Sequence, residues 1–266
     1  MIHWRFGGWH DAGLPARAGA EAWLCDAERE RLRSFKVDKR REDWLIGRVT
    51  AKALVADIVD QRYGVRVPAP FIHIARQPSG APWVEVLGGG APPGRLPASL
   101  PLCLSNSHSA DHALCGALWT DGFGGGGRVR SIGVDLEWIE PRSDGFVRDF
   151  LTRPEQAWVG EVEGSLRHVR ANVAWSAKES VLKVVQRGLT VDTWWLTCVP
   201  ASDVAPGWLP AMLRPADGRW EPLDVTCDGR FPTHGLRFKA VWREIAGFAA
   251  TVAAGHVDEP AGDRQG

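Results

Sequence analysis

The longest periodic stretch runs from about Arg41 to Val59. There Trp44, Leu45, Val49, Leu54, Val55 and Ile58 recur broadly in phase with a helical repeat and predict a helix. Pro68 and Pro70 close the connection behind it. Short extended segments follow at Phe71 to Ala75, Trp83 to Leu87, Leu102 to Ser105 and Ala113 to Trp119, separated by turn-rich stretches such as 77–80 and 88–101. The glycine run from Gly122 to Gly127 reads as a flexible joint. Beyond it, Val129 to Ile139 predicts a strand, and Thr152-Arg-Pro-Glu155 is a capping-box pattern that opens a helix. A second helix is expected over about Val169 to Gln186, ending at Gly188. Late strands fit Arg237 to Trp242 and Phe248 to Ala253, and Asp258 to Gly266 reads as a disordered tail.

Two helical segments match in part. Trp44, Arg48 and Lys52 repeat the spacing of Trp175, Glu179 and Lys183, which suggests two related α+β halves with a ligand in the cleft between them. In this register Lys52 corresponds to Lys183. Composition then narrows the function. The 266 residues carry 32 basic and 32 acidic side chains, so there is no bulk field for nucleic acid or an anionic membrane. Five scattered cysteines without a CxxC pair argue against a disulfide framework and a zinc site. No run approaches the roughly 20 apolar residues of a membrane span, and a cytoplasmic protein is expected.

Four segments carry candidate chemistry. On a strand, residues two apart share a face, so Asp135 and Glu137 present paired carboxylates while Val134 and Leu136 face the core. Hard oxygen ligands of this kind suit magnesium. Glu179 and Lys183 lie one turn apart on the second helix, a carboxylate for the metal and a cation for phosphate. Ser107 and His108 offer a hydroxyl and an imidazole to phosphate oxygens, whereas neighbouring strand residues face opposite ways and make a Ser-His nucleophile pair poor geometry. Arg40 and Arg48 flank one groove if both are helical. Taken singly, each segment is explained as well by an acidic strand face, a surface ion pair, a turn histidine and a solvated basic face.

In order and together, they resemble the Sfp-type 4′-phosphopantetheinyl transferases. The resemblance rests on Leu45-Ile-Gly-Arg48 with Lys52, on Ser105-Asn-Ser107-His108-Ser109, on Gly133-Val-Asp135-Leu-Glu137, and on Trp175-Ser-Ala-Lys178-Glu179-Ser-Val-Leu-Lys183. It covers about residues 20 to 190. It implies an α+β fold of two pseudo-twofold halves, residues 1–123 and 124–257, each a small antiparallel sheet packed on a long helix, with coenzyme A bound between them. It further implies Asp135, Glu137 and Glu179 as magnesium ligands and Lys183 at the pyrophosphate. Arg40, Arg48, Ser107 and His108 would meet the nucleotide phosphates, and Glu155 matches a further family glutamate that its capping box already explains. Gly80-Ala81-Pro82 lacks the lysine that the family often has there, and Arg76 is the candidate to replace its charge.

The implied reaction moves phosphopantetheine from coenzyme A to a serine of an apo acyl or peptidyl carrier protein, with Mg2+, Glu179 and Lys183 as the catalytic set and Glu179 or a metal-bound water as base. A monomer is expected, since two internal halves reduce the need for a partner subunit. Lys52 has Arg48 rather than a carboxylate one turn before it, so its replacement is expected to weaken coenzyme A binding and turnover much less than that of Lys183. Two other readings compete. A metal-dependent nuclease or phosphoesterase should carry an acid-x-lysine step, but Trp138-Ile139 follows Glu137. A non-catalytic coenzyme A-binding module would be marked by loss of a metal carboxylate, and all three are present.

Overall fold

The structure is a computed structural model that describes residues 1–77, 80–97, 99–121, 129–202, 208–216 and 218–257. The expected glycine joint and the expected disordered tail lie outside the described residues.

In chain order the elements are β1 (Ile2–Gly8), α1 (Asp26–Arg33), α2 (Asp38–Tyr63), β2 (Ile72–Arg76), β3 (Pro82–Val86), β4 (Ser99–Leu100), β5 (Leu102–Ser109), β6 (His112–Trp119) and β7 (Val129–Trp138). Then follow α3 (Asp144–Phe150), α4 (Arg153–Gly160), α5 (Gly164–Val184), β8 (Leu196–Pro200), α6 (Trp208–Met212), β9 (Leu213–Arg214), β10 (Glu221–Cys227), β11 (Arg237–Ile245) and β12 (Phe248–His256). The α+β class holds. One sheet has the order β5-β6-β1-β9, a second β7-β12-β11-β10-β8, and β2-β3-β4 form a small third. Helix α2 packs on the first sheet and α5 on the second. Between the sheets lies one apolar core, in which Ile2, Trp4, Leu114 and Leu118 meet Val134, Leu136, Val241 and Phe248. The halves therefore share a core, and beside it a cavity is lined by residues 102–106 of the first half and by Arg130, Ser131, Ile132 and Lys183 of the second. Strand β9, from the C-terminal half, even joins the first sheet by parallel pairing with β1.

Several helix ends follow from local chemistry. Helix α2 stops at Gly64, whose φ of 63° is a left-handed cap that costs glycine little. Thr152 and Glu155 form the expected capping box of α4. At Gly133 an added Cβ would fall 1.9 Å from the Ser180 carbonyl oxygen, so only glycine lets α5 lie this close on β7.

Each half also ties its long helix with a buried ion pair. Lys52 of α2 is fully buried, sits 2.5 Å from Glu28 of α1, and donates to the Ala69 carbonyl at 3.0 Å. Glu28 caps its own helix by accepting from the Cys25 N–H. Lys178 of α5 is fully buried, sits 2.8 Å from Glu155, and donates to the Thr193 and Leu196 carbonyls at 2.6 Å each. Glu155 caps α4 through the Thr152 N–H and also accepts from the Cys198 N–H.

This shared device corrects the repeat register drawn from the sequence. By its buried partner Lys52 corresponds to Lys178, not to Lys183, and it is a core residue. Removing one partner of a buried pair leaves an uncompensated charge. Lys52→Ala and Lys178→Ala are each expected to lower unfolding stability by about 3–5 kcal/mol. Lys39→Ala, which breaks an exposed pair with Asp43, should cost under about 1 kcal/mol. Urea denaturation of the three variants measures this, and a Lys52→Ala cost as small as that of Lys39→Ala would refute the assignment.

Candidate active site

The site is built where β5 of the first sheet crosses β7, the edge strand of the second. Strand alternation sends Ser105, Ser107 and Ser109 to one side, and all three hydroxyls meet β7. Ser105 Oγ accepts from the Val134 N–H at 3.0 Å and Ser109 Oγ from the Trp138 N–H at 3.2 Å. Ser107 Oγ donates to Asp135 Oδ1 at 2.8 Å. Ser105 and Ser109 thus serve the open backbone edge of β7 in place of a strand ladder. Ser107, expected at the nucleotide phosphates, thus has its hydroxyl engaged by Asp135.

Asp135 is the centre of this arrangement. It is 4% exposed, and Lys183 Nζ donates to its Oδ1 at 2.8 Å and to the Val134 carbonyl at 3.0 Å. Its second oxygen, Oδ2, is buried and has no hydrogen-bond partner among the described residues. A buried carboxylate oxygen left without a donor is costly unless a cation meets it. Val134 and Leu136 are buried in the core, as the alternation predicts. Glu137 lies two residues on, with its Oε2 held at 2.8 Å by Arg142 Nη2, an arginine that the sequence reading did not single out.

Glu137 and Glu179 both sense the Asp135 charge. Burial, and then the Asp135 charge, raise Glu137 from 4.5 to about 7, with Arg142 opposing and Glu179 adding. Glu179 is also raised, first by burial and then by Asp135, against the pull of Lys183. Among the described residues, however, no three acidic, histidine or cysteine side chains are already gathered as a metal site. The physical reason is visible: Lys183 holds Asp135 and Arg142 holds Glu137. The donor set of three carboxylates with an orphaned buried oxygen fits a hard divalent cation.

The remaining expected residues fall in an adjoining cavity of about 570 Å3, whose lining includes Arg31, Arg40, Asp43, Trp44, Arg48 and His108. Arg48 is fixed there: its Nη1 donates to the Ile74 carbonyl, it lies 3.4 Å from Glu28, and its guanidinium sits 4.8 Å from the Trp44 ring centre. Burial lowers His108 below the usual imidazole range, so it sits in the cavity as a neutral ring near neutral pH. A second cavity of about 650 Å3 lies on the other side of Arg76 and reaches Lys183, Arg130 and Arg187. Arg40, Arg48 and His108 thus share one cavity, while Lys183 joins Asp135 beside the other. Missed in the sequence were Arg142 and Glu28. Their signal was faint, since an arginine five residues beyond Glu137 and a glutamate at a helix start are common.

Residues 131–206 match the family described as the 4′-phosphopantetheinyl transferase superfamily. That segment holds Asp135, Glu137, Glu179 and Lys183, so the resemblance read from the motifs stands at the level of this superfamily. Over 200 residues the chain is 28% identical to a protein named phosphopantetheinyl transferase from Thraustochytrium sp., covering 70% of this chain. The chain spans about 60% of that relative's length. A solved holo-(acyl-carrier-protein) synthase from Bacillus anthracis str. Ames, in complex with CoA (3′,5′-ADP), aligns with a TM-score of 0.37 and 16% identity, over 50% of this chain and 100% of that one.

The raised Glu137 has a consequence for stability. Between 4.5 and about 7 the unfolded chain has lost a proton that the folded site retains, so this group's contribution to stability falls as pH rises through that window. Glu137→Gln removes the effect. The melting temperature of the variant, taken relative to wild type without added metal, is expected to climb from the acid end of the window to the neutral end. A constant difference would contradict the pKa assignment.

Proposed function

We propose that the chain transfers the 4′-phosphopantetheine arm of coenzyme A to a serine hydroxyl of an apo acyl or peptidyl carrier protein. The reaction depends on Mg2+ and releases adenosine 3′,5′-bisphosphate. The observation that carries this reading is Asp135, whose Oδ2 is buried and unpartnered while Lys183 and Ser107 hold its other oxygen. It stands on the segment that matches the transferase superfamily, and the Thraustochytrium relative bears the same activity in its name.

Asp135, Glu137 and Glu179 are the ligands in this reading, and Mg2+ held by them would offset charge on the pyrophosphate and on the departing bisphosphate. Lys183 places a fixed cation against the same oxygens. Arg40, Arg48 and His108 receive the nucleotide phosphates from the cavity they line. The serine oxygen bonds to the phosphorus of the pantetheine phosphate while the bond from that phosphorus to the bridging oxygen breaks. The serine proton passes to Glu179, a carboxylate whose proton affinity burial raises above the usual range. Positioning and charge supply the catalysis, as phosphoryl-type transfer requires. The five free cysteines suit a reducing cytoplasm, and one core shared by both halves suits a monomer.

Incubation with coenzyme A, Mg2+ and a panel of apo carriers, read by mass, is expected to add one phosphopantetheine to at least one carrier and to fail in excess chelator. Lys183→Ala loses a charge-assisted bond worth about 1.5–3 kcal/mol, which is roughly one to two orders of magnitude in kcat/KM. Full modification in chelator, or an unchanged rate in the folded variant, would overturn the reading.

A further inference from the structure

Arg142 lies in the turn between β7 and α3, with a carboxylate on either side. Its Nη2 donates to Glu137 Oε2 at 2.8 Å, and its Nη1 lies 3.1 Å from Glu140 Oε1. The guanidinium does not depend on either acid for its place. Its Nε donates to Asn172 Oδ1 at 2.8 Å, and its plane sits 4.9 Å from the Phe146 ring centre. Asn172 is itself fully buried on α5 and anchored by its Nδ2, which donates to the Glu140 and His168 carbonyls at 2.8 Å each.

From this geometry we infer that Arg142 is a positioning residue that holds Glu137 in reserve, so that divalent cation loads well only together with the phosphate-bearing substrate. The inference rests on the reading of Asp135, Glu137 and Glu179 as metal ligands. Glu137 can leave Arg142 without stranding a charge, because Glu140 remains paired with it on the exposed side. The site without substrate holds three carboxylates against Lys183 and Arg142. A cation that approaches Asp135 Oδ2 therefore meets two positive charges close by, and must also draw Glu137 from its hydrogen bond. Pyrophosphate oxygens offset those positive charges and tip the balance toward loading. Arg142 thus couples the two ligands through charge, with no movement of the backbone.

Calorimetric titration of Mn2+ into the full chain, with and without coenzyme A, tests this coupling without any reading of activity. Wild type is expected to bind Mn2+ more tightly when coenzyme A is present. Arg142→Gln removes the reserve, so Mn2+ alone should bind on the order of tenfold more tightly, and the gap between the two titrations should narrow. Glu140→Gln leaves Arg142 with Glu137 as its only remaining carboxylate partner of the two, and should weaken Mn2+ binding by a smaller factor. Opposite signs for the two variants are what a merely structural arginine would not produce. Arg142→Gln binding unchanged or weaker, both variants shifting the same way, or wild-type binding indifferent to coenzyme A would overturn the inference and leave the metal ligands standing. Wild type taking up no Mn2+ even with coenzyme A would sink the ligand reading, and the role of Arg142 with it.

Discussion

The structure turns on the carboxylate of Asp135 and on the seam that holds it. Strand β7 ends its sheet, and its free edge would present unpaired backbone groups. The Ser105 and Ser109 hydroxyls of β5 and the Lys183 ammonium meet that edge instead, and Ser107 and Lys183 also bond the Asp135 carboxylate. Two of those contacts converge on one Asp135 oxygen and leave the other bare. A buried acceptor without a donor costs about 1–3 kcal/mol. The fold sustains that cost because the surrounding core is large and continuous across both sheets.

The helices that bring the charged groups to this seam are themselves fixed from behind. Lys178 immediately precedes Glu179 in α5, and its pair with Glu155 ties α5 to α4 and to the chain entering β8. Lys52 and Glu28 do the same for α2, and Glu28 also bonds the Ile74 N–H and neighbours Arg48. Each pair therefore sets the rotation of a long helix about its axis, and with it the direction of Glu179 and Lys183 in one half and of Arg48 in the other. Burying an ion pair is not in itself stabilising. Its value here is register, since a small rotation of α5 would carry Lys183 away from Asp135.

Much of this was legible in the chain. The period-two pattern around Asp135 placed two acids outward and Val134 and Leu136 inward, and the helix carrying Glu179 was found with its end at Val184 rather than near Gly188. The serines of β5 were read as polar residues beside a histidine, yet their alternation already put them on one face. Strand β1 was missed although Ile2, Trp4 and Phe6 alternate with His3 and Arg5, because the alternation spans only five residues before Gly7 and Gly8 break it. The pairing of β9 with β1 involves two residues and a long sequence gap, and no local pattern announces it. The repeat register went astray for a related reason. A shared tryptophan and charge spacing is local, whereas the buried lysines are defined by glutamates on other helices, which only the fold brings near.

The central claim is that the bare Asp135 oxygen is the seat of a divalent cation. Anomalous diffraction from crystals of the protein grown with Mn2+ and coenzyme A tests it directly. The account predicts a manganese peak at coordination distance, about 2 Å, from Asp135 Oδ2, with Glu179 also in its shell and Glu137 turned from Arg142 toward the ion. A manganese peak elsewhere, with Asp135 Oδ2 still unliganded in crystals that contain coenzyme A, would contradict it.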